Sequence, residues 1–581
     1  MKDVPQVQGQ TMPMNDPSDQ YDVAILGGGQ AGLTLALQLK KIRPTTRILV
    51  IEKQNYPFPE AAHKVGESTV EISGHYLRDV LDLEEHLHTQ QLRKFGLRMF
   101  FSTEGNQDIA RRVELGHAVL PPRLVGTYQI DRGRFENALS QMLPERGIAL
   151  LDGCKVQQVD LQPQNEWHCL RVVHDSNERE IAVRWVVDAT GRSSLLKRQL
   201  GLAKKVNHHA NAVWFRVGYP IDINEWSSDP AWRDRVTEGE RRLSTNHLMG
   251  LGYWVWIIPL SSGSTSIGIV TDANLHPFEK INLFERALAW LHEHEPQCAQ
   301  VVEQHRDVVQ DFRVMRDYSY SCEQVYSEER WCLTGEAGVS LDPLYSPGGD
   351  MIAISNGLIC DLITHALDGE DVEELAAIHN QFFLIFTSSW LSTYEHQYVL
   401  MGNAQIMVAK VMWDTVVYWA IPGLLYFHDK FRTFGDTPNI AMKLLRFSIL
   451  SEHIQEFFRD WLTIAQPEAS NVFIKYYDFD FMAKLHIGMT AELPDSEFED
   501  QFAANVRFIE RLAGQLVNTV IHTYDDCCED EAVLSQIRHW QDDPFLTELI
   551  DLYRQDEKTD PIDSGWITLG HQSREKWEAM R

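Results

Sequence analysis

No Cys-x-x-Cys pair occurs anywhere in this 581-residue chain. Its eight cysteines, at 154, 169, 298, 322, 332, 360, 527 and 528, have no spacing that frames disulfides or a metal knot. A reducing cytoplasm is the expected setting. Basic residues are also scarce: 53 Lys and Arg against 83 Asp and Glu leave a net charge of −30. Such a chain repels a phosphate backbone or an anionic membrane at long range, so nucleic acid is not expected as a partner. Long apolar runs are missing too. The most apolar uncharged segment, Thr415 to Phe427, has 13 residues and contains Pro422 and Gly423, whereas a bilayer span needs roughly 20. It reads as a buried helix or a pocket lining, and no membrane span is expected. Residues 1–20 lack the basic start and apolar stretch of a signal peptide and read as a disordered lead. His208-His209 and His292-Glu-His294 lack a third ligand at metal spacing, so no metal site is expected.

What is present is the balance of a soluble globular protein, 44% hydrophobic and 23% charged, in a chain too long for one ordinary core. Tyr21 to Leu26 reads as a short buried strand. It runs into Gly27-Gly-Gly-Gln-Ala-Gly32, a helix through Leu39, and a second strand, Arg47 to Ile51, that ends at Glu52. The pattern then changes to strands and turns, with a helix at Arg134 to Leu143. Strand signals follow at Leu150 to Asp160, Trp167 to Val173 and Ile181 to Val187. A second β region spans Ala212 to Val270, and Trp331 to Thr334 returns as a buried strand. After about Asp371 the strands are expected to stop, and Phe502, Val506, Ile509, Ala513, Leu516 and Val520 recur at helical steps. Residues 491–560 hold 18 acids and 5 Lys or Arg, a solvated acidic helical face or a docking surface for a basic partner.

The expected architecture is therefore α/β. A Rossmann-type domain with an inserted antiparallel sheet covers residues 21–370, and a mainly helical C-terminal region covers 371–581.

A lone Gly-x-Gly-x-x-Gly is weak, but here strand, glycine turn, helix and a distal acid occur together. Gly27 makes the tight turn, Gly29 lets backbone approach a pyrophosphate, and Gly32 lets helix and strand close. Glu52 can accept ribose hydroxyls. A second constellation begins with Gly335-Glu336 and runs through Pro343-Leu-Tyr-Ser-Pro-Gly-Gly-Asp350 into a helix over Met351 to Leu367. Glycines at a helix N-terminus expose unpaired amides at the positive end of a dipole. A second anchor this far from the first points to FAD rather than NAD.

Trp254 and Trp256 lie two apart in Gly252-Tyr-Trp-Val-Trp-Ile-Ile-Pro259. On a strand they share one face, with Val255 and Ile257 on the other. Arg93 to Phe101, read as one strand, puts Phe95, Leu97, Met99 and Phe101 on one face and Lys94, Gly96, Arg98 and Phe100 on the other, aiming Lys94 inward. A lysine desolvated there has a lowered pKa and becomes a usable nucleophile or donor.

The N-terminal fingerprint, Tyr128-Gln-Ile-Asp-Arg-Gly-Arg-Phe135, Val187-Asp-Ala-Thr-Gly191 and the Gly335 segment resemble FAD monooxygenases of the aromatic hydroxylase type. Trp254-Val-Trp-Ile-Ile-Pro259 and Lys64-Val-Gly-Glu-Ser-Thr69 are similar to the signatures of flavin-dependent halogenases. The resemblance covers roughly residues 21–400. It implies FAD, supplied reduced as FADH2, that reacts with oxygen to a C4a-hydroperoxide, and chloride or bromide that attacks the distal oxygen. The hypohalous acid formed would reach a lysine through an internal channel and be presented to an electron-rich ring.

By the same resemblance Lys94, Glu67 and Ser346 are catalytic, and Arg132 and Glu336 join Gly27, Gly29, Gly32, Glu52, Gly335, Gly348 and Gly349 in holding the cofactor. The resemblance also implies a halide held by backbone amides of this segment, and since Pro347 has no amide hydrogen, Gly348 and Gly349 are the expected donors. Trp254, Trp256 and Pro259 would partition flavin from substrate. Tryptophan halogenases carry Glu where this chain has Tyr345, which demotes free tryptophan and favours a phenol or pyrrole, free or carrier-tethered.

One dinucleotide fingerprint implies a separate NAD(P)H-dependent flavin reductase. A single-component aromatic hydroxylase and a non-catalytic flavin-bound docking protein are the alternatives. The aromatics Trp390, Tyr394, Tyr398, Trp413, Tyr418, Trp419 and Tyr426 read as packing or as the lining of a substrate pocket.

Overall fold

The computed structural model describes residues 20–569 except 62–63, 121–124, 164–165, 238–239, 434–437, 466–470, 526–529 and 559. The expected lead lies outside these residues save for Gln20, which opens the first strand.

That strand, Gln20–Leu26, sits in the middle of a sheet of mostly parallel strands. Asn177–Asp188 and then Trp331–Leu333 flank it on one side, Ile48–Ile51 and Ala149–Leu151 on the other, all in parallel register. Val23 to Leu26 and Ile48 to Ile51 are buried throughout, as expected of parallel strands covered on both faces. The Gln30–Ile42 helix and the Pro347–Leu367 helix pack against each other over this sheet. Cys154–Asp160 and His168–His174 extend it as an antiparallel meander on the outer part of Asn177–Asp188.

The second sheet runs in the order Arg313–Met315, Ala210–Val217, Thr265–Asp272, Tyr253–Pro259, Thr245–Gly250, Leu97–Phe101, Val113–Gly116, Phe473–Lys475. It is mixed rather than antiparallel, because Thr245–Gly250 pairs parallel with Leu97–Phe101 and Phe473–Lys475 parallel with Val113–Gly116. Strands brought together from distant parts of the chain need not run in opposite directions, unlike strands joined by a hairpin. The sheet separates two apolar cores. Trp254 and Trp256 enter the larger core, their rings 5.7 Å apart, while Tyr253, Val255 and Ile257 enter the smaller one. The smaller core is closed by the helices Phe284–His294 and Pro296–Gln304.

The C-terminal region is helical, as its periodicity implies, with Asp495–Asp525 its longest helix. The expectation that strands stop at Asp371 fails at one place: Phe473–Lys475 crosses back to complete the second sheet. Three residues carry too little pattern to be read in advance. Thr415 to Phe427 is a buried helix that widens to a π-turn at Trp419–Gly423, where Pro422 removes an amide hydrogen and crowds the preceding turn. One helix, Pro347–Leu367, is long and apolar enough to cross a bilayer by length and composition, but 61% of its apolar window is buried inside the fold. It is a core helix.

Candidate active site

A cavity of about 950 Å3 opens along the carboxyl ends of the parallel strands. Gly27, Gly29, Glu52 and Arg132 line it from the N-terminal side, and Gly335, Glu336, Gly348 and Gly349 from the other. Each glycine does a different job. A Cβ on Gly27, which has φ of +116°, would lie 2.3 Å from the Ala189 carbonyl, and one on Gly32 would lie 2.0 Å from the Gly27 carbonyl. These two are fixed by the protein itself, and Gly32 closes helix on turn without lining the cavity. A Cβ on Gly29 meets no protein atom nearer than 4.0 Å, so a side chain there would enter the cavity and strike no protein.

Glu52 receives the Gly28 amide at 2.8 Å and the Gln54 amide at 2.9 Å. These bonds aim its carboxylate into the cavity, with lone pairs left to accept further hydrogen bonds. Arg132 Nη1 donates to the Val65 carbonyl at 2.6 Å and Nη2 pairs with Glu136 at 2.5 Å. It thereby ties the 65–69 loop to the cavity wall. Glycine turn, acid and guanidinium are the donor and acceptor types that a dinucleotide uses.

A second cavity, of about 670 Å3, lies beyond the first and is built largely by the C-terminal helices. Lys94 lines it and is 2% exposed. Its Nζ donates to Ser68 Oγ at 2.9 Å and to the Thr69 carbonyl at 2.7 Å. Burial brings its pKa from 10.5 to about 7, against the opposing pull of Glu71 and Asp350.

The single strand drawn over 93–101 is not formed. Leu92–Arg93 and Leu97–Phe101 are separate strands, and Gly96 turns between them at φ of +71°. A Cβ on Gly96 would also strike the His117 ring at 2.4 Å. Alternation holds within Leu97–Phe101, where Met99 and Phe101 enter one core and Phe100 the other, but it does not place Lys94. The turn at Gly96 does.

The wall between the cavities is thin, and two segments of chain cross it. Ser68 and Thr69 line the first cavity while Val70 and Glu71 line the second. Likewise Tyr345 lines the second and Ser346 the first. Tyr345 and Ser346 both have left-handed backbone, at φ of +68° and +62°. That conformation costs a non-glycine residue of order 1–3 kcal/mol and clusters at functional sites. Here it sends two adjacent side chains to opposite sides and starts the Pro347–Leu367 helix with the Gly348 and Gly349 amides in its first, unpaired turn.

Trp254 and Trp256 line the first cavity only, and Pro259 lines neither. Segments 68–71 and 345–346 thus stand between the cavities, and the indoles meet the first cavity alone. The indoles belong to a sheet whose face forms the side of the cofactor cavity. Trp254 is held there by Tyr398, whose hydroxyl accepts from Nε1 at 3.0 Å and donates to Asp342 at 2.6 Å.

Glu67 is also re-placed. Its Oε1 accepts from Arg216 Nε at 3.0 Å and Nη2 at 2.6 Å, and it lines the first cavity, not the second. Both partners are buried, so the pair pins the loop and directs one oxygen of the Glu67 carboxylate to Arg216.

Three groups escaped the sequence reading. Glu71 lines the second cavity with Lys94, and its Oε1 lies 3.3 Å from His486 Nε2. Asp350 is fully buried, accepts from the Ser73 amide at 2.8 Å and the Tyr418 hydroxyl at 2.7 Å, and is pushed up to about 7 by burial. Asp414 accepts from the Tyr345 hydroxyl at 3.0 Å and from Lys410 at 2.9 Å. The acid after a motif is visible in sequence, but its position in a particular cavity is not. Of the aromatics, Trp390, Tyr418 and Trp419 line the second cavity, whereas Tyr394, Tyr398 and Trp413 are buried in the core.

Residues 20–262 match the FAD binding domain family. The chain is 25% identical over 435 residues to a flavin-dependent halogenase, chlA, of Dictyostelium discoideum, covering 69% of this chain and 70% of that protein. It is 27% identical over 379 residues to the 1H-pyrrole-2-carbonyl-[peptidyl-carrier protein] chlorinase of Pseudomonas fluorescens, covering 62% and 79%. Among solved structures, the fold is similar to that of halogenase PltM in complex with phloroglucinol and FAD. The TM-score is 0.61, with 16% identity over 95% of this chain and 99% of that one.

Proposed function

We propose that this chain, which carries the FAD-binding fold of the flavin-dependent halogenases, places chlorine or bromine on an electron-rich aromatic ring of phenolic or pyrrolic type. FAD held on Gly27, Gly29, Glu52, Arg132, Gly335 and Glu336 supplies, once reduced, the electrons with which oxygen converts halide to hypohalous acid. A separate NAD(P)H-dependent flavin reductase provides the reduced form. The amides of Gly348 and Gly349 hold halide at the positive end of the Pro347–Leu367 helix.

The observation that most supports the reading is Lys94, buried at the wall between a dinucleotide cavity and an aromatic-lined one. Hypohalous acid that crosses near Ser68 and Thr69 meets the Lys94 ammonium, which donates a hydrogen bond to its oxygen. The ring carbon then bonds to halogen, the halogen–oxygen bond breaks, and the oxygen leaves as water with a proton from Lys94. The proton displaced from the ring carbon goes to the Glu71 carboxylate. Halogen has replaced hydrogen and one water has formed. The wall favours this reading over direct hydroxylation, in which the ring would have to reach the oxygen activated by the reduced cofactor. The relatives named for pyrrolyl groups on a peptidyl carrier support a pyrrolic substrate as one form of the class.

The test supplies FAD, a flavin reductase, NADH, oxygen and chloride or bromide with a panel of phenols, pyrroles and indoles, and reads products by mass spectrometry. Halogen-for-hydrogen exchange that needs halide and Lys94 is the expected result. Oxygen insertion without halide would replace it with a hydroxylase.

A further inference from the structure

The second cavity is larger than the ring it is proposed to process. At about 670 Å3 it falls in the range of drug-sized pockets, roughly 300–1,000 Å3, whereas a cavity of about 150 Å3 holds benzene. Its lining is mixed. Lys94, Glu71, His117 and Asp414 supply ionisable groups. Ile378, Phe382 and Ile385 of the Glu373–Leu391 helix and Leu444, Leu445 and Phe447 of the Pro438–Leu462 helix supply an apolar part, interspersed with Gln381, Ser389, Ser448 and Ser451 of the same helices. At the mouth Ile385 is 55% and Leu445 59% exposed. Met442 and Ile449, three residues before and four after Leu445, share its helix face and are 68% and 45% exposed. Single exposed apolar residues are ordinary, but a row continuous with a cavity marks a binding surface.

We infer that the substrate is an aromatic ring bearing an unbranched apolar tail, the ring lying against Lys94 and the tail running between these two helices onto the Met442, Leu445 and Ile449 row. The inference rests on the reading of this cavity as the substrate site. A linear alkyl tail takes up space that the ring leaves and covers side chains that otherwise face water. Each methylene buried contributes about fourfold in affinity.

The test is titration calorimetry of the FAD-loaded protein, without halide or reductase, with 5-methylresorcinol, 5-heptylresorcinol and an S-pyrrolyl pantetheine thioester. The expected result is at least about thirtyfold tighter binding of the heptyl than the methyl compound, the effect of burying between two and three of its six additional methylenes, falling below about threefold in Ile385→Asp and Leu445→Asp, whose exposed positions leave the fold intact. Equal binding of the two resorcinols, a preference unchanged in both variants, or tighter binding of the pantetheine compound would each overturn it. Because binding is read without turnover, this outcome is separate from the halogenation assay, in which loss of every product would sink the proposed reaction and leave the tail site standing.

Discussion

Lys94→Met separates the thermodynamic cost of the proposed catalytic lysine from its use. Burial brings the Lys94 pKa from 10.5 to about 7. Between those values the unfolded chain keeps a proton that the folded chain has released, so stability rises with pH by about 1.36 kcal/mol per unit. At pH 7 the folded state therefore carries a cost of roughly 4 kcal/mol, of which about half is recovered by pH 9. Methionine removes the proton while keeping a straight side chain. It forfeits the bonds to Ser68 Oγ and the Thr69 carbonyl, a loss of about 1–3 kcal/mol. The variant is thus more stable than the parent at pH 7 by about 1–3 kcal/mol and close to it at pH 9.

With about 2.1 cal/mol/K of unfolding entropy per residue over 581 residues, its lead in melting temperature shrinks by about 2 °C between pH 7 and pH 9. Lys197, also lowered to about 8 by burial, is common to both proteins and cancels in the difference. Differential scanning fluorimetry at the two pH values measures it. A lead that does not change with pH would show that Lys94 stays ionised in the fold and refute the argument. The same variant should bind FAD and form no halogenated product, a residue retained for function at the expense of stability.

Gly29→Val should fold with an unchanged melting temperature yet retain no FAD on gel filtration, because its side chain enters the cavity and not the protein. Gly32→Val, 2.0 Å from the Gly27 carbonyl, should instead lower folded yield. Glu67→Ala leaves the Arg216 guanidinium buried without its carboxylate, a loss of about 3–5 kcal/mol. Thermal melts should show it, and Arg216→Met in the same chain should restore most of it. Glu71→Gln should cut turnover at least about tenfold at unchanged FAD affinity if the carboxylate takes the ring proton. Steady-state assays that return parental rates would remove Glu71 from the chemistry.

The sequence by itself determined the dinucleotide half of this protein. Strand, glycine turn, helix and Glu52 are local in the chain, and each glycine is required by backbone geometry or by phosphate approach, so spacing alone carries the meaning. The shared face of Trp254 and Trp256 was equally legible, because alternation along one strand is a local rule. Tertiary structure decided the rest. The positive φ at Gly96 broke the alternation that would have placed Lys94, and the pairing of Glu67 with Arg216, 149 residues away, gave the Glu67 carboxylate a buried partner that no local pattern announces. The second cavity is made by Lys94, Glu71 and, beyond residue 371, chiefly the helices Glu373–Leu391, Ala404–Tyr418 and Pro438–Leu462. A pocket of that kind is a property of which distant surfaces meet, and a pattern read along one chain holds no record of the meeting.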